Sequence, residues 1–173
     1  MKIQLPQLTL ADSNSNYRLL LSEIAKTKGL LLVFISNDCP YVRHALPEFR
    51  MIANDYRAQG LGVAAVYSPE KTGERTETLE EMERFAFAKR MDFPYLLDEG
   101  AYLAKILNAT VTPECLLFDA RGELFYRGRF DASEPGNGIP QSGNDLRNAI
   151  DSLIYNRNPP FTELPGKGCP IFK

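Results

Sequence analysis

Residues 30–49 read LLLVFISNDCPYVRHALPEF, and their order decides the fold. The first six are apolar without the alternation of a half-wetted strand, as in a central strand covered on both faces. Cys39 then stands before Pro40, and proline favours the first helical position because its missing N–H is not needed there. Residues 39–60, CPYVRHALPEFRMIANDYRAQG, keep helical spacing up to Gly60, with Pro47 expected to kink the helix. LGVAAVYS at 61–68 is a second doubly covered run. Strand, helix and strand at this spacing form a right-handed βαβ unit with parallel strands.

Working outward, Asn16–Lys28 reads as a short amphipathic helix, apolar at Leu19, Leu20, Leu21 and Ile24 and stopped by Gly29. On the other side, PEKTGERT at 69–76 reads as a charged loop. A helix is expected from Thr76, TETLEEMERFAFAKRM, whose acidic first turn and basic last turn suit the macrodipole and whose charges read as a solvated face. FPYLLD at 93–98 is a short strand, and EGAYLAKILNA at 99–109 a short helix leading into TVTPE. In CLLFDARGELFYRGRF, residues 115–130, two apolar runs flank Asp119-Ala120-Arg121-Gly122, the signal of an antiparallel hairpin. Residues 131–143 are the candidate mobile loop, SGNDLRNAIDSLIYN at 142–156 is a capped last helix, and 157–173 form an extended tail rich in Pro and Gly. The expected class is α/β: a βαβ half followed by a ββα half, giving a central mixed sheet with helices on both faces.

The 173 residues suit a single domain, 1–173, with 44% hydrophobic and 24% charged residues, an ordinary globular balance. A net charge of −2 with no basic run argues against nucleic acid as a partner. The longest apolar run, Leu30–Ile35, is far short of a membrane span, and the N-terminus lacks a secretory core, so the expectation is a cytoplasmic protein without a membrane partner. The cysteines, 39, 115 and 169, are too scattered for a disulfide scaffold or a structural zinc site. No metal and no cofactor are expected, and the sequence does not specify an oligomeric state.

Chemistry concentrates at Cys39. At a helix N-terminus its sulfur faces unpaired amide donors and the positive end of the dipole, which favour a thiolate. Arg43, one turn on, adds a cation; His44, the one histidine, points more obliquely and suits packing or solvation better than a ligand role. Thr112-Pro113 precedes a buried strand, a place where either a cis bond in a tight loop or an ordinary trans proline fits.

These elements together resemble the thioredoxin fold, with Cys39 at the attacking-cysteine position and Thr112-Pro113 at the cis-proline beside it. More closely, DCPYVRH, FPYLLDE, TPECLLFDARGELFYRGR and GNDLRNAID resemble a thioredoxin-like branch of the redoxin and alkyl hydroperoxide reductase–thiol-specific antioxidant superfamily over residues 30–170. Members typically carry an Asn-His-Cys-Pro-Tyr-Val type motif, here Asn37-Asp38-Cys39-Pro40-Tyr41-Val42, a Tyr-Arg-Gly-Arg segment and a Gly-Cys near the C-terminus, here Gly168-Cys169. The resemblance implies a thiol oxidoreductase in which Cys39 attacks a protein disulfide or a small peroxide and an external thiol restores it. The departures are equally specific. Val42 replaces the second cysteine of the thioredoxin motif, Val33 stands where thioredoxins bury an acid, and Asp38 places a carboxylate that opposes ionisation beside the sulfur. Ser36 fits the hydroxyl that peroxiredoxins place three residues before their cysteine. Pro113 falls where their arginine would lie, leaving Arg127 and Arg129 as substitutes from the next strand.

Three readings follow. In the first, Cys39 is the nucleophile, supported by Ser36, Pro40 and Arg43, with Cys115 or Cys169 as the resolving thiol. In the second, loss of the second cysteine and the buried acid leaves a non-catalytic adaptor that binds extended peptides along the cis-proline edge. The third, a metal carrier, lacks the further ligands it would need.

Overall fold

The computed structural model describes residues 2–70 and 76–172, so most of the charged loop expected at 69–76 lies outside the described residues. Strand β3 (Gly29–Phe34) is buried at every position. Its side chains alternate between two cores: Leu31 and Val33 face one, Leu30, Leu32 and Phe34 the other. Burying a Leu or Phe stabilises by about 1.5–3 kcal/mol relative to exposure, so this strand alone anchors both layers.

Around it lie β4 (Leu61–Tyr67), parallel to β3, and β5 (Tyr95–Leu97), parallel to β4. On the other side β7 (Glu114–Phe118) and β8 (Leu124–Gly128) form the expected hairpin, antiparallel to β3 and to each other. β1 (Thr9–Asp12), β2 (Arg18–Leu20) and β9 (Glu163–Leu164) complete a mixed sheet of order β2-β1-β5-β4-β3-β7-β8-β9. Three helices contribute to one core: α2 (Pro40–Arg57), α3 (Leu79–Ala88) and α5 (Asn144–Ile154). The other core takes Leu21 and Ile24 of α1 (Leu21–Ile24) and Leu103, Ala104 and Leu107 of α4 (Tyr102–Leu107).

The helix expected over Asn16–Lys28 is replaced by β2 and the single-turn α1. The Asp12 carboxylate explains this: it accepts from the Ser15 hydroxyl at 2.7 Å and from the Asn14 and Ser15 N–H groups at 3.2 Å, closing a turn that returns the chain beside β1. The leucines at 19–21 therefore serve a strand end and a turn. Helix α3 starts at Leu79, three residues later than expected, because Thr78 caps it: its hydroxyl accepts from Glu81 N–H while the Glu81 carboxylate accepts from Thr78 N–H. Its last turn carries no basic residue, since it ends at Ala88, before Lys89 and Arg90. Helix α2 runs through Pro47 as one 18-residue segment.

The tail is the part the sequence described least. It lays β9 parallel on β8 and then pairs β10 (Cys169–Pro170) antiparallel with β6 (Val111–Thr112). Glycines permit both approaches. A Cβ on Gly128 would overlap the Leu164 carbonyl, and one on Gly168 the Thr112 carbonyl. Beyond β10, Ile171 N–H donates to Thr110 O at 2.8 Å, and Ile171 and Phe172 pack against the second core.

Candidate active site

Cys39 is the N-cap of α2, with extended backbone (φ −74°, ψ 120°), and Pro40 takes the first helical position. Because proline has no N–H, the free donors of this first turn are those of Tyr41 and Val42. The thiol site is only 2% exposed. The Thr112–Pro113 peptide bond is cis, and Thr112 O lies 3.3 Å from Cys39 Sγ. Two influences therefore act on the reduced sulfur. Helix donors favour the thiolate, while the Thr112 carbonyl accepts a hydrogen bond from the thiol and favours the neutral form.

Cys39 is bonded to Cys169, with Cα atoms 6.0 Å apart and 130 residues between them in sequence. The bond depends on β10: Cys169 lies in register with Thr112, and Thr112 Oγ1 donates to Cys169 O at 3.5 Å. An ion pair, Lys167 to Glu134 at 3.8 Å, ties the segment before Gly168 to the 131–143 loop. Cys115 is fully buried and free; it sits in β7 opposite Val33, and burial raises its thiol well above the ordinary range. Such a thiol is a poor nucleophile at neutral pH.

The remaining expected residues are distributed as follows. Ser36 is half-buried in the loop between β3 and Cys39. Arg43 turns back along the helix, where its Nε donates to Asn37 O at 2.8 Å and its guanidinium stands 3.9 Å from Asp38. His44 Nε2 and Ser133 Oγ are 2.6 Å apart, so the histidine fastens the 131–143 loop to α2. That loop, expected to be a mobile segment, is also closed at its neck, where the Asp131 carboxylate accepts from Ser133, Ser142 and Gly143 N–H groups at 2.7–2.8 Å. Arg127 pairs with Glu114 at 3.3 Å and donates to Leu107 O at 2.6 Å. Arg129 pairs with Asp145 at 2.7 Å. Arg127 is on β8 and Arg129 just past its end, β7 lies between β8 and β3, and both guanidinium groups are paired with carboxylates, Glu114 and Asp145. Among the described residues no three His, Cys, Asp or Glu side chains cluster as a metal site requires.

Sequence reasoning missed Glu77, which it placed on a solvated charged face. The residue is half-buried instead, with its Oε2 enclosed: Asn37 N–H donates to its Oε1 at 2.9 Å, two residues before Cys39. Burial, reinforced by the charges of Asp38 and Glu81 against the Asn37 hydrogen bond, pushes this acid up to about 7. Only its place just before the Thr78 capping box sets it apart in the sequence from the other acids around it.

This arrangement, a cysteine-capped helix facing a cis-proline across a mixed sheet, defines a thioredoxin-like protein. The AhpC/TSA family model matches residues 2–127, and the chain belongs to that family. Among solved structures it is similar to an uncharacterized conserved protein from Geobacillus kaustophilus, with 33% identity, a TM-score of 0.93, and 99% of this chain and 90% of that one covered. It is similar also to a hypothetical protein from Sinorhizobium meliloti, at 34% identity and TM-score 0.91 over 99% and 93% of the two chains. A secreted disulfide oxidoreductase from Mycobacterium tuberculosis shares the fold at 15% identity, with TM-score 0.64 over 84% and 96%. No curated protein matches the chain. Among the described residues no helix is long and apolar enough to cross a membrane.

Proposed function

We propose that the protein is a two-cysteine thiol–disulfide oxidoreductase in which Cys39 is the nucleophile and Cys169 the resolving thiol. The observation that carries this reading is the Cys39–Cys169 bond, formed by a strand that pairs beside the cis-proline. In the forward half-cycle the Cys39 thiolate attacks one sulfur of a substrate disulfide, forming a mixed disulfide and expelling the other sulfur as a thiolate, which takes up a proton. The Cys169 thiolate then attacks Cys39 Sγ and expels the second substrate thiolate. The substrate gains two electrons and the protein keeps the Cys39–Cys169 disulfide. Two equivalents of an external thiol return those electrons and leave as their own disulfide.

A disulfide is favoured over a peroxide because Arg127 and Arg129 are paired with Glu114 and Asp145 and Arg43 is directed at Asn37 and Asp38. Pro40 and Thr112-Pro113 shape the site: Pro40 orients the helix start, and Thr112 supplies the carbonyl beside the sulfur and the backbone that holds Cys169. Ser36 keeps the role of a supporting group, and Cys115 that of a core thiol. The setting remains a single domain in the cytoplasm. Alkylation rate against pH on the reduced protein tests the first step. The reading expects Cys39 to titrate below about 8.5, the ordinary thiol value; a Cys39 that reacts as an unperturbed thiol contradicts it and favours the adaptor.

A further inference from the structure

Asn37, two residues before Cys39, has three polar groups held from three different elements. Its N–H donates to Glu77 Oε1 at 2.9 Å, its carbonyl accepts from Arg43 Nε at 2.8 Å, and its side-chain oxygen accepts from Tyr95 Oη at 2.9 Å. Glu77 is fixed in turn, since its own N–H donates to Tyr67 Oη at 3.2 Å. Its second oxygen, Oε2, is buried and has no hydrogen-bond partner among the described residues. A buried carboxylate oxygen without a donor is costly as an anion and inexpensive once protonated.

We propose that Glu77 is a positioning residue for Cys39 that also stores the proton displaced when Cys39 becomes a thiolate. The role rests on the reading of Cys39 as a nucleophile. It assigns to the segment before α3 the buried acid that β3 lacks, because position 33 is valine, in register with Cys115. The balance is explicit. A protein holding the Cys39–Cys169 disulfide and ionised Glu77, plus two external thiols, gives the Cys39 thiolate, the Cys169 thiol, protonated Glu77 and the external disulfide. Two electrons pass to the protein, two protons leave the external thiols, and the net charge of the site is unchanged.

The groups facing Glu77 support this assignment. Asp38 from the Cys39 turn and Glu81 from α3 are like charges that favour the protonated acid; the Asn37 N–H and the Tyr95 hydroxyl from β5 act the other way and are outweighed by burial, and Tyr67 from β4 is a neutral hydroxyl. The cation of the turn, Arg43, is spent on Asn37 O and Asp38. A thiolate on Cys39 adds another like charge, so Glu77 and Cys39 titrate as a pair in which each ionisation opposes the other.

The test is the iodoacetamide alkylation rate of Cys39, located by mass mapping, from about pH 5 to 9 in full-length Cys169→Ser and in Cys169→Ser/Glu77→Gln. Gln keeps an acceptor for Asn37 N–H and removes the charge. The proposal expects two coupled inflections in the first protein. In the second it expects one, moved to lower pH, with a rate about threefold to tenfold higher near pH 7, the effect of lowering a thiol by about half to one unit. Superimposable profiles overturn it, because a purely structural Glu77 would leave the pH dependence alone. A second readout needs no variant: the Glu77 side-chain carbonyl carbon, followed by NMR, is expected to titrate at higher pH in the reduced than in the disulfide form, and an unmoved midpoint overturns the proposal. An ordinary thiol profile for Cys39 in both variants defeats the nucleophile reading; an activated but identical profile defeats only the role of Glu77.

Discussion

Cys169 lies in register with Thr112 across the β10–β6 ladder, and the Thr112 carbonyl oxygen is 3.3 Å from the sulfur to which Cys169 is bonded. The backbone that frames the nucleophile thus also delivers its second thiol.

Gly168 makes that delivery possible, because a Cβ there would overlap the Thr112 carbonyl. In Gly168→Val both cysteines remain but β10 cannot seat. Closure of the Cys39–Cys169 bond, measured as its effective concentration against a glutathione redox buffer, is expected to fall by about tenfold or more, the scale on which a mispositioned reacting pair loses advantage. An unchanged value would mean that the tail finds Cys39 without strand pairing.

The disulfide closes a loop 130 residues long in sequence, so the chain-entropy model sets its stabilisation at up to about 5 kcal/mol. Reduction is expected to lower the urea midpoint, with most of the loss reproduced by Cys169→Ser. Equal midpoints for the oxidised and reduced protein would show that the tail stays seated without the covalent bond.

Cys115 is predicted to be irrelevant to exchange. Cys115→Ala is expected to leave the kinetics of Cys39–Cys169 closure unchanged and to cost about 1 kcal/mol through the small void it leaves in the core. In the native protein Cys115 should resist alkylation until the chain unfolds. A slowed closure in this variant would return it to the cycle.

Glu77 carries a pH signature in stability as well as in reactivity. Its folded value of about 7 lies above the ordinary 4.5, so the protonated acid is favoured by folding. The contribution is complete below about pH 4.5 and is lost as pH rises through about 7. Glu77→Gln should therefore be more stable than the parent at about pH 8 and lose that advantage as pH falls toward about 4.5. Urea midpoints at the two pH values check this, and an advantage that grows on acidification would reverse the sign.

Much of the frame was readable from residues 30–49, because a run that is apolar on both faces has few places to go but the middle of a sheet. The hairpin at 115–130 was legible from its turn, and Cys39 from the Pro40 that follows it. What escaped was set by long-range contacts. Leu19–Leu21 have helical spacing, yet the Asp12 turn commits Leu19 and Leu20 to a strand and leaves Leu21 to open a single helical turn. Glu77 sits among acids that look alike until folding buries one of them against Asn37. The two-residue β10, preceded by Gly166 and Gly168, has no strand pattern of its own, and β6 gives it a partner. The two candidate resolving thiols could not be ranked in sequence for the same reason: one is fixed in a core strand and the other reaches the site only after the tail folds back.

The most direct test of the two-cysteine cycle is peptide mapping by mass spectrometry after fully reduced protein meets one equivalent of a small-molecule disulfide. The account predicts a transient mixed disulfide on Cys39, then a Cys39–Cys169 cross-link with Cys115 unmodified. A Cys39–Cys115 cross-link, or a mixed disulfide on Cys39 that persists while Cys169 stays free, would contradict it.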